Sequence, residues 1–358
     1  MLEVADIFRL HGPQYREHFG ARLLPSHRRA MQDIEQCRTA ALGGQLYHCQ
    51  QCDERRYSYH SCKNRHCPKC QNEQANQWLQ AQQHLLLPVT HFLVTFTLPK
   101  ELRALARSHQ KTIYNLLFRA SSQALQQLAK DSRFVGARLG LVGVLHTWTR
   151  QLLYHPHVHY IVTGGGLTHD RGWVASRKDF LVPVKALSPI FRAKFRDHLK
   201  KTELFSLVEA RAWYQNWVVH SEPVGSGLQA CQYLAPYIFR VALSNNRILS
   251  LDHDTVTFAY KESATDLLKR CTVTAQEFIR RFLQHVLPPR FIKVRYYGLF
   301  SPAQRHLLQK ARQLLSATTS KLKRADLKSL PPRALLSCPQ CRGPLTLLGR
   351  LAPRGRAP

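Results

Sequence analysis

The chain has 358 residues, of which 44% are hydrophobic and 21% charged. That is enough apolar material for a buried core and two domains of roughly 100–200 residues, and it excludes a wholly disordered chain. Lys and Arg number 52 against 22 Asp and Glu, a net charge of +30, which points to a polyanionic partner, most simply nucleic acid, and argues against an acidic metabolic enzyme.

Residues 1–30 read as a helical lead, with Val4, Ile7 and Phe8 near helical spacing and no basic-then-apolar leader. The longest apolar stretches, Leu85–Val89 and Leu139–Leu145, are too short to span a bilayer. A cytoplasmic protein with no membrane partner is therefore expected. Six of the ten cysteines fall between Cys37 and Cys70. In a long chain without a leader, such clustering points to metal rather than disulfides. Cys49-Gln-Gln-Cys52 and Cys67-Pro-Lys-Cys70 are two knuckles with 14 residues between Cys52 and Cys67. Each turn offers two thiolates, so the pair is expected to hold one structural Zn²⁺. Cys37, Cys62 and His66 lie in the same segment and could share that site or form a second. Arg55, Arg56, Lys63 and Arg65 between the knuckles suggest a DNA-contacting face, with a solvated basic surface as the alternative.

Gln74–Leu87 reads as a connecting helix. His91–Leu98 alternates, with Phe92, Val94, Phe96 and Leu98 on one face of a strand. Glu101–Lys130 has helical periodicity. Gly136–His146 and His155–Thr163 read as strands, the second closed by Gly164–Gly166. Ser188–Lys200 is a helix, Trp217–Ser221 a strand, and Gly227–Arg240 a helix flawed by Pro236. Arg247–Leu251 and Thr255–Tyr260 form a hairpin around Asp252–Asp254, and Thr274–Val286 a helix. From about Ala303 the chain is basic and ends in a Pro/Gly/Arg tail. Within it Cys338-Pro-Gln-Cys341 is a third knuckle, half a ribbon that needs two ligands from elsewhere in the chain or from another subunit. Strands and helices do not alternate regularly, so the fold class is α+β on an antiparallel or mixed sheet.

The most informative run is His155-Pro-His157-Val158-His159-Tyr160. Alternate strand residues share a face, so His157 and His159 point the same way, ~7 Å apart, and can hold one divalent cation. Tyr233 and Tyr237 stand four apart, on one face of a helix. Together these are the parts for metal-assisted transfer of a DNA phosphoryl group to tyrosine, with Mg²⁺ or Mn²⁺ at the histidines and a 5′-phosphotyrosine as product. No Walker-type phosphate loop is present, and none is needed.

At these residues the sequence resembles the HUH-type, two-tyrosine rolling-circle transposases of the insertion sequence 91 family. The likeness covers CRTAALGG (Cys37–Gly44), SCKNRHCPKCQ (Ser61–Gln71), FTLP (Phe96–Pro99), LHTW (Leu145–Trp148), HPHVHYIVTGGGL (His155–Leu167), YLAPYIFRVALSNNRI (Tyr233–Ile248) and KVRYYG (Lys293–Gly298). The resemblance implies an HUH endonuclease-like sheet flanked by helices, a small N-terminal zinc-binding module, and rolling-circle movement of a mobile element through its single-stranded ends. It gives metal binding to His157 and His159 and nucleophile roles to Tyr233 and Tyr237. His146 is the choice for a third ligand, with Gln232 and His155 as alternatives. Arg240 and Arg247 are candidates to hold phosphate or single-stranded DNA. The expected division is 1–30, a helical lead; 31–88, the zinc module; 89–300, the catalytic domain; and 301–358, a basic tail. A plasmid replication initiator or relaxase would use the same chemistry. A zinc-dependent DNA-binding regulator would need neither the histidine pair nor the tyrosine pair.

Overall fold

The computed structural model describes residues 2–70, 78, 85–170, 172–226, 229, 232, 242–262, 265–318 and 337–354. Its helices are α1 (Val4–Phe19), α2 (Pro25–Gln36), α3 (Arg103–Ser108), α4 (Gln110–Ala129), α5 (Val184–Leu199), α6 (Ala275–Leu283) and α7 (Arg305–Thr318). Its strands are β1 (Gly44–Cys49), β2 (Arg55–Tyr59), β3 (Thr90–Thr97), β4 (Arg138–Trp148), β5 (Tyr154–Leu167), β6 (Trp173–Ala175), β7 (Val219–Ser226), β8 (Ile248–Asp252), β9 (Thr255–Lys261), β10 (Leu268–Thr274), β11 (Val294–Gly298) and β12 (Leu345–Leu351). Most of the expected helices Gly227–Arg240 and Gln74–Leu87 lies outside the described residues.

Alternation in β3 decides the main layer. Phe92, Val94 and Phe96 pack with Val158, Tyr160 and Val162 of β5 beneath α4 and α5; Phe96 meets Phe191 of α5 edge-on at 5.0 Å. The sheet runs β11–β4–β5–β3–β7, antiparallel throughout, with β6 on β5. Its other face carries Leu93, Val142, Val144 and Ile161, which pack with Leu308, Ala311 and Leu315 of α7. A sheet covered by helices on both faces in this way is the expected α+β architecture.

The glycine run does not end β5; the strand continues to Leu167. A Cβ on Gly164 would lie 2.5 Å from the Thr90 carbonyl oxygen, and one on Gly166 would lie 2.3 Å from that of Arg138. The glycines let β5 pass close between its neighbours. The helix expected over Glu101–Lys130 is instead broken at His109 (φ −122°, ψ 48°). There Ser108 turns its hydroxyl back onto the Ala104 and Leu105 carbonyls, which competes with continuing the helix.

The lead is not separate. α2 crosses the boundary expected at residue 30, and α1 and α2 share an apolar cluster with α6 and the β8–β9–β10 sheet. Phe8 meets Phe282 edge-on at 5.2 Å, and Asn245 accepts from the Val4 amide at 3.2 Å. The tail is also no tail where it is described. α7 belongs to the main sheet, and β12 returns to pair antiparallel with β1, making a small sheet β12–β1–β2. None of the three apolar clusters takes a residue from that small sheet.

Candidate functional site

The register of β4 and β5 sets His146 directly opposite His157. Ring centroids are 5.3 Å apart for His146–His157, 4.6 Å for His146–His159 and 4.7 Å for His157–His159. One ligand nitrogen from each lies within 4.8 Å of the others. Burial pushes His157 well below its ordinary value and His159 down to about 4. Both rings are thus neutral at physiological pH and keep a lone pair for a cation. The His155 carbonyl accepts from His157 Nδ1 at 2.6 Å, which leaves Nε2 as the bare nitrogen.

Two residues to which the sequence reading gave no role complete the setting. Thr95 lies opposite His159 in the β3–β5 register, its Oγ1 2.8 Å from His159 Nδ1. Trp148 stacks on His146 at 5.2 Å and 22°, and the Lys293 ammonium lies 5.1 Å from the centroid of the indole ring. Burial, with the Arg65 charge nearby, lowers Lys293 to about 7. Only pairing register, which local sequence does not display, could have found Thr95.

Of the other candidate ligands, His155 receives a hydrogen bond from Arg103 at 2.7 Å and stands outside the three-histidine group. Gln232 is exposed. Tyr233, Tyr237 and Arg240 lie outside the described residues.

The cysteines regroup. Cys67 and Cys70 join Cys37 and Cys62, while Cys49 and Cys52 join Cys338 and Cys341. The two knuckles expected to share one ion are therefore in different clusters. The reason is the β1–β2 hairpin: Cys49 and Cys52 form its turn, and Cys62 follows the far end of β2. Five strand residues at ~3.3 Å each hold the two ends roughly 15 Å apart. In the first cluster the sulfurs of Cys37 and Cys62 stand 3.5 and 3.6 Å from that of Cys70.

The basic residues divide. Arg55, Arg56 and Lys63 are exposed, and Tyr57 stacks with Tyr59 beside them at 6.0 Å. Arg65 instead donates to the Phe291 and Pro288 carbonyls at 2.6 and 2.7 Å, fastening the cysteine loop to the segment between α6 and β11. Arg247 donates to the Ala259 and Arg150 carbonyls at 2.7 and 2.6 Å, so it braces the β8–β9 hairpin.

An antiparallel sheet with three converging imidazoles is joined here to a cysteine-rich module with two groups of four thiols, an arrangement suited to a metal-using protein. A family profile described as "Putative transposase" matches residues 140–307, and one described as "Transposase zinc-binding domain" matches residues 7–98. The chain is 40% identical over 369 residues to the "Putative transposase y4qJ" of Sinorhizobium fredii (strain NBRC 101917 / NGR234), covering 95% of this chain and 92% of the relative. It is 28% identical over 283 residues to the transposase for insertion sequence element IS801 of Pseudomonas savastanoi pv. phaseolicola, covering 74% and 68%. The chain belongs to the IS91 family of transposases. A copper-bound structure of the conjugative relaxase TRWC in complex with oriT DNA matches 30% of this chain and 41% of its own at 25% identity. Its TM-score of 0.24 is too low to bear on function. Among the described residues no helix is long and apolar enough to cross a membrane.

Proposed function

We propose that this transposase nicks single-stranded DNA at the ends of its element through Tyr233 and Tyr237 and moves the element by a rolling-circle sequence. The observation that carries this reading is the convergence of His146, His157 and His159 on one sheet face. Three neutral imidazoles suit a divalent cation such as Mg²⁺ or Mn²⁺. When bound there, such a cation would withdraw negative charge from a scissile phosphate. The chain's own groups do the rest. The His155 carbonyl and Thr95 fix the ring orientations. A tyrosine hydroxyl gives up its proton as its oxygen attacks phosphorus, the bond to the 3′-oxygen breaks, and that oxygen leaves with the electron pair and takes up a proton, so none is gained or lost overall. The 5′ end remains on tyrosine with its phosphodiester energy conserved for rejoining, and a second tyrosine permits a second cleavage before release.

Zinc at Cys37, Cys62, Cys67 and Cys70 would hold the loop between β2 and the main domain, since four thiolates fill a tetrahedron and leave no position for water. Arg55, Arg56 and Lys63, with Tyr57 for stacking, would meet the DNA.

The test is incubation with Mn²⁺ and a single-stranded oligonucleotide carrying the element's own end. A covalent 5′ adduct is expected, and it should vanish in the Tyr233→Phe/Tyr237→Phe chain. His157→Ala should stop cleavage but leave binding nearly intact, because phosphate contacts by Lys and Arg supply most affinity. An adduct in the double tyrosine variant refutes the nucleophile assignment.

A further inference from the structure

We propose that Cys49, Cys52, Cys338 and Cys341 bind a second structural zinc ion, which clasps the C-terminal strand β12 onto the N-terminal module. The zinc-binding profile stops at residue 98 and so assigns nothing to the C-terminal pair. The argument rests on four observations.

The first is distance. The sulfurs of Cys49 and Cys341 are 3.4 Å apart, and those of Cys52 and Cys338 are 3.6 Å apart. A disulfide would need about 2.05 Å. Four sulfurs at ~2.3 Å from one ion stand about 3.8 Å from each other in a tetrahedron, which is close to what the chain presents.

The second is that the two turns are built alike, although 292 residues separate Cys49 from Cys341. In each, the first cysteine's amide donates to the carbonyl five residues on: Cys49 to Glu54 at 2.9 Å and Cys338 to Gly343 at 2.8 Å. In each, the residue after the second cysteine is left-handed without being glycine: Asp53 at φ 57° and Arg342 at φ 61°. Non-glycine residues resist that conformation, and such strain persists where surrounding structure imposes it. The first cluster shows the same mark after Cys37 and Cys62, at Arg38 (φ 56°) and Lys63 (φ 53°).

The third is orientation of donors. The Gly343 amide points at Cys341 Sγ at 3.4 Å, as the Asn64 amide does at Cys62 Sγ at 3.5 Å in the first cluster. An amide aimed at sulfur favours the thiolate, the form that binds metal.

The fourth is what the small sheet lacks. β12–β1–β2 gives nothing to any apolar cluster; the fully buried cysteines of this group of four are Cys49, at the end of β1, and Cys338, in the turn that precedes β12. A three-stranded sheet without an apolar core is not held by burial. A metal closed by four thiolates supplies the missing free energy. The donor set is four sulfurs, all within 4.8 Å of one another, which suits Zn²⁺ in a structural role.

The full-length chain, purified without chelator, is assayed by elemental mass spectrometry. Two zinc ions per chain are expected. The Cys338→Ser/Cys341→Ser chain and the Cys62→Ser/Cys70→Ser chain should each keep one. A second measurement needs no variant. Trypsin should spare Arg342 and Arg350 in the native protein and cut there once a mercurial has stripped the thiolates. One zinc per unsubstituted chain, iron in its place, two zinc ions in the Cys338→Ser/Cys341→Ser chain, or cleavage at Arg342 before metal release overturns the proposal. None of these readouts depends on DNA cleavage.

Discussion

Replacing Thr95 by valine removes one oxygen and keeps the shape of the side chain. Thr95 Oγ1 lies 2.8 Å from His159 Nδ1, so with His159 Nε2 given to a cation, Nδ1–H donates to that oxygen. The variant leaves the ring without this partner in a buried place. The loss of one such hydrogen bond is worth about 1 kcal/mol, and partners that orient a ligand histidine commonly account for 10–100-fold in metal affinity. A rise of about tenfold in the Mn²⁺ concentration that half-saturates the site is expected, corresponding to ~1.4 kcal/mol. Free Mn²⁺ followed by electron paramagnetic resonance measures binding directly, and nicking of a single-stranded oligonucleotide across a Mn²⁺ series measures its consequence. At saturating Mn²⁺ the nicking rate should return to near the unsubstituted value, since Thr95 positions a ligand and touches no reacting atom. An unchanged half-saturation point in a folded Thr95→Val chain would refute the reasoning, and so would a rate loss that Mn²⁺ cannot restore.

Gly298→Ala should cost more than about 3 kcal/mol of stability, because Gly298 sits at φ 59° and an added Cβ would lie 1.8 Å from the Leu139 carbonyl oxygen; an unmoved denaturant midpoint counts against this. His91 is buried and pushed down to about 4 from 6.5, chiefly by that burial. Between those values the unfolded chain binds the proton and the folded chain does not, so stability present above pH 6.5 is lost as pH falls. From pH 7 to 5 the loss from this group is roughly 2 kcal/mol, and His91→Asn should flatten the slope by that amount in denaturant titrations at the two pH values. Arg55→Ala/Arg56→Ala should weaken single-stranded DNA binding and reduce the slope of log K against log salt by roughly 1.4; an unaltered slope would remove β2 from the interface.

Local pattern made some parts of the molecule legible. The alternation of Phe92, Val94 and Phe96 gave both the strand and its buried face, and His157 and His159 followed from the same two-residue period. His146 could be placed with them because its strand precedes theirs. What stayed hidden was non-local. The partners of Cys49 and Cys52 lie near the other end of the chain, so spacing alone favoured the nearer knuckle. The β1–β2 hairpin that separates the knuckles has mixed polarity, Gln45-Leu46-Tyr47-His48 against Arg55-Arg56-Tyr57-Ser58, because neither face packs on an apolar core. Strand β10, Leu268–Thr274, is largely exposed and lacks the apolar stripe that marks a half-buried strand. Arg65 and Arg247 looked like phosphate contacts because composition cannot tell a guanidinium that faces solvent from one that caps backbone carbonyls.

The pairing of β1 with β12 also bears on how the protein is made. β1 leaves the ribosome early, but its partner follows nearly the whole of the chain. At ~5–20 residues per second, the span between Cys49 and Cys341 takes roughly 15–60 s to synthesise. Throughout that interval β1 has β2 on one side and an open edge on the other. Open edges invite pairing with foreign strands, and long-range pairings form slowly because loop closure precedes any gain. The terminal strand therefore sets the moment at which the N-terminal module is completed. A transcript truncated before residue 345 would yield a chain whose main sheet can fold while the edge of β1 remains unpaired.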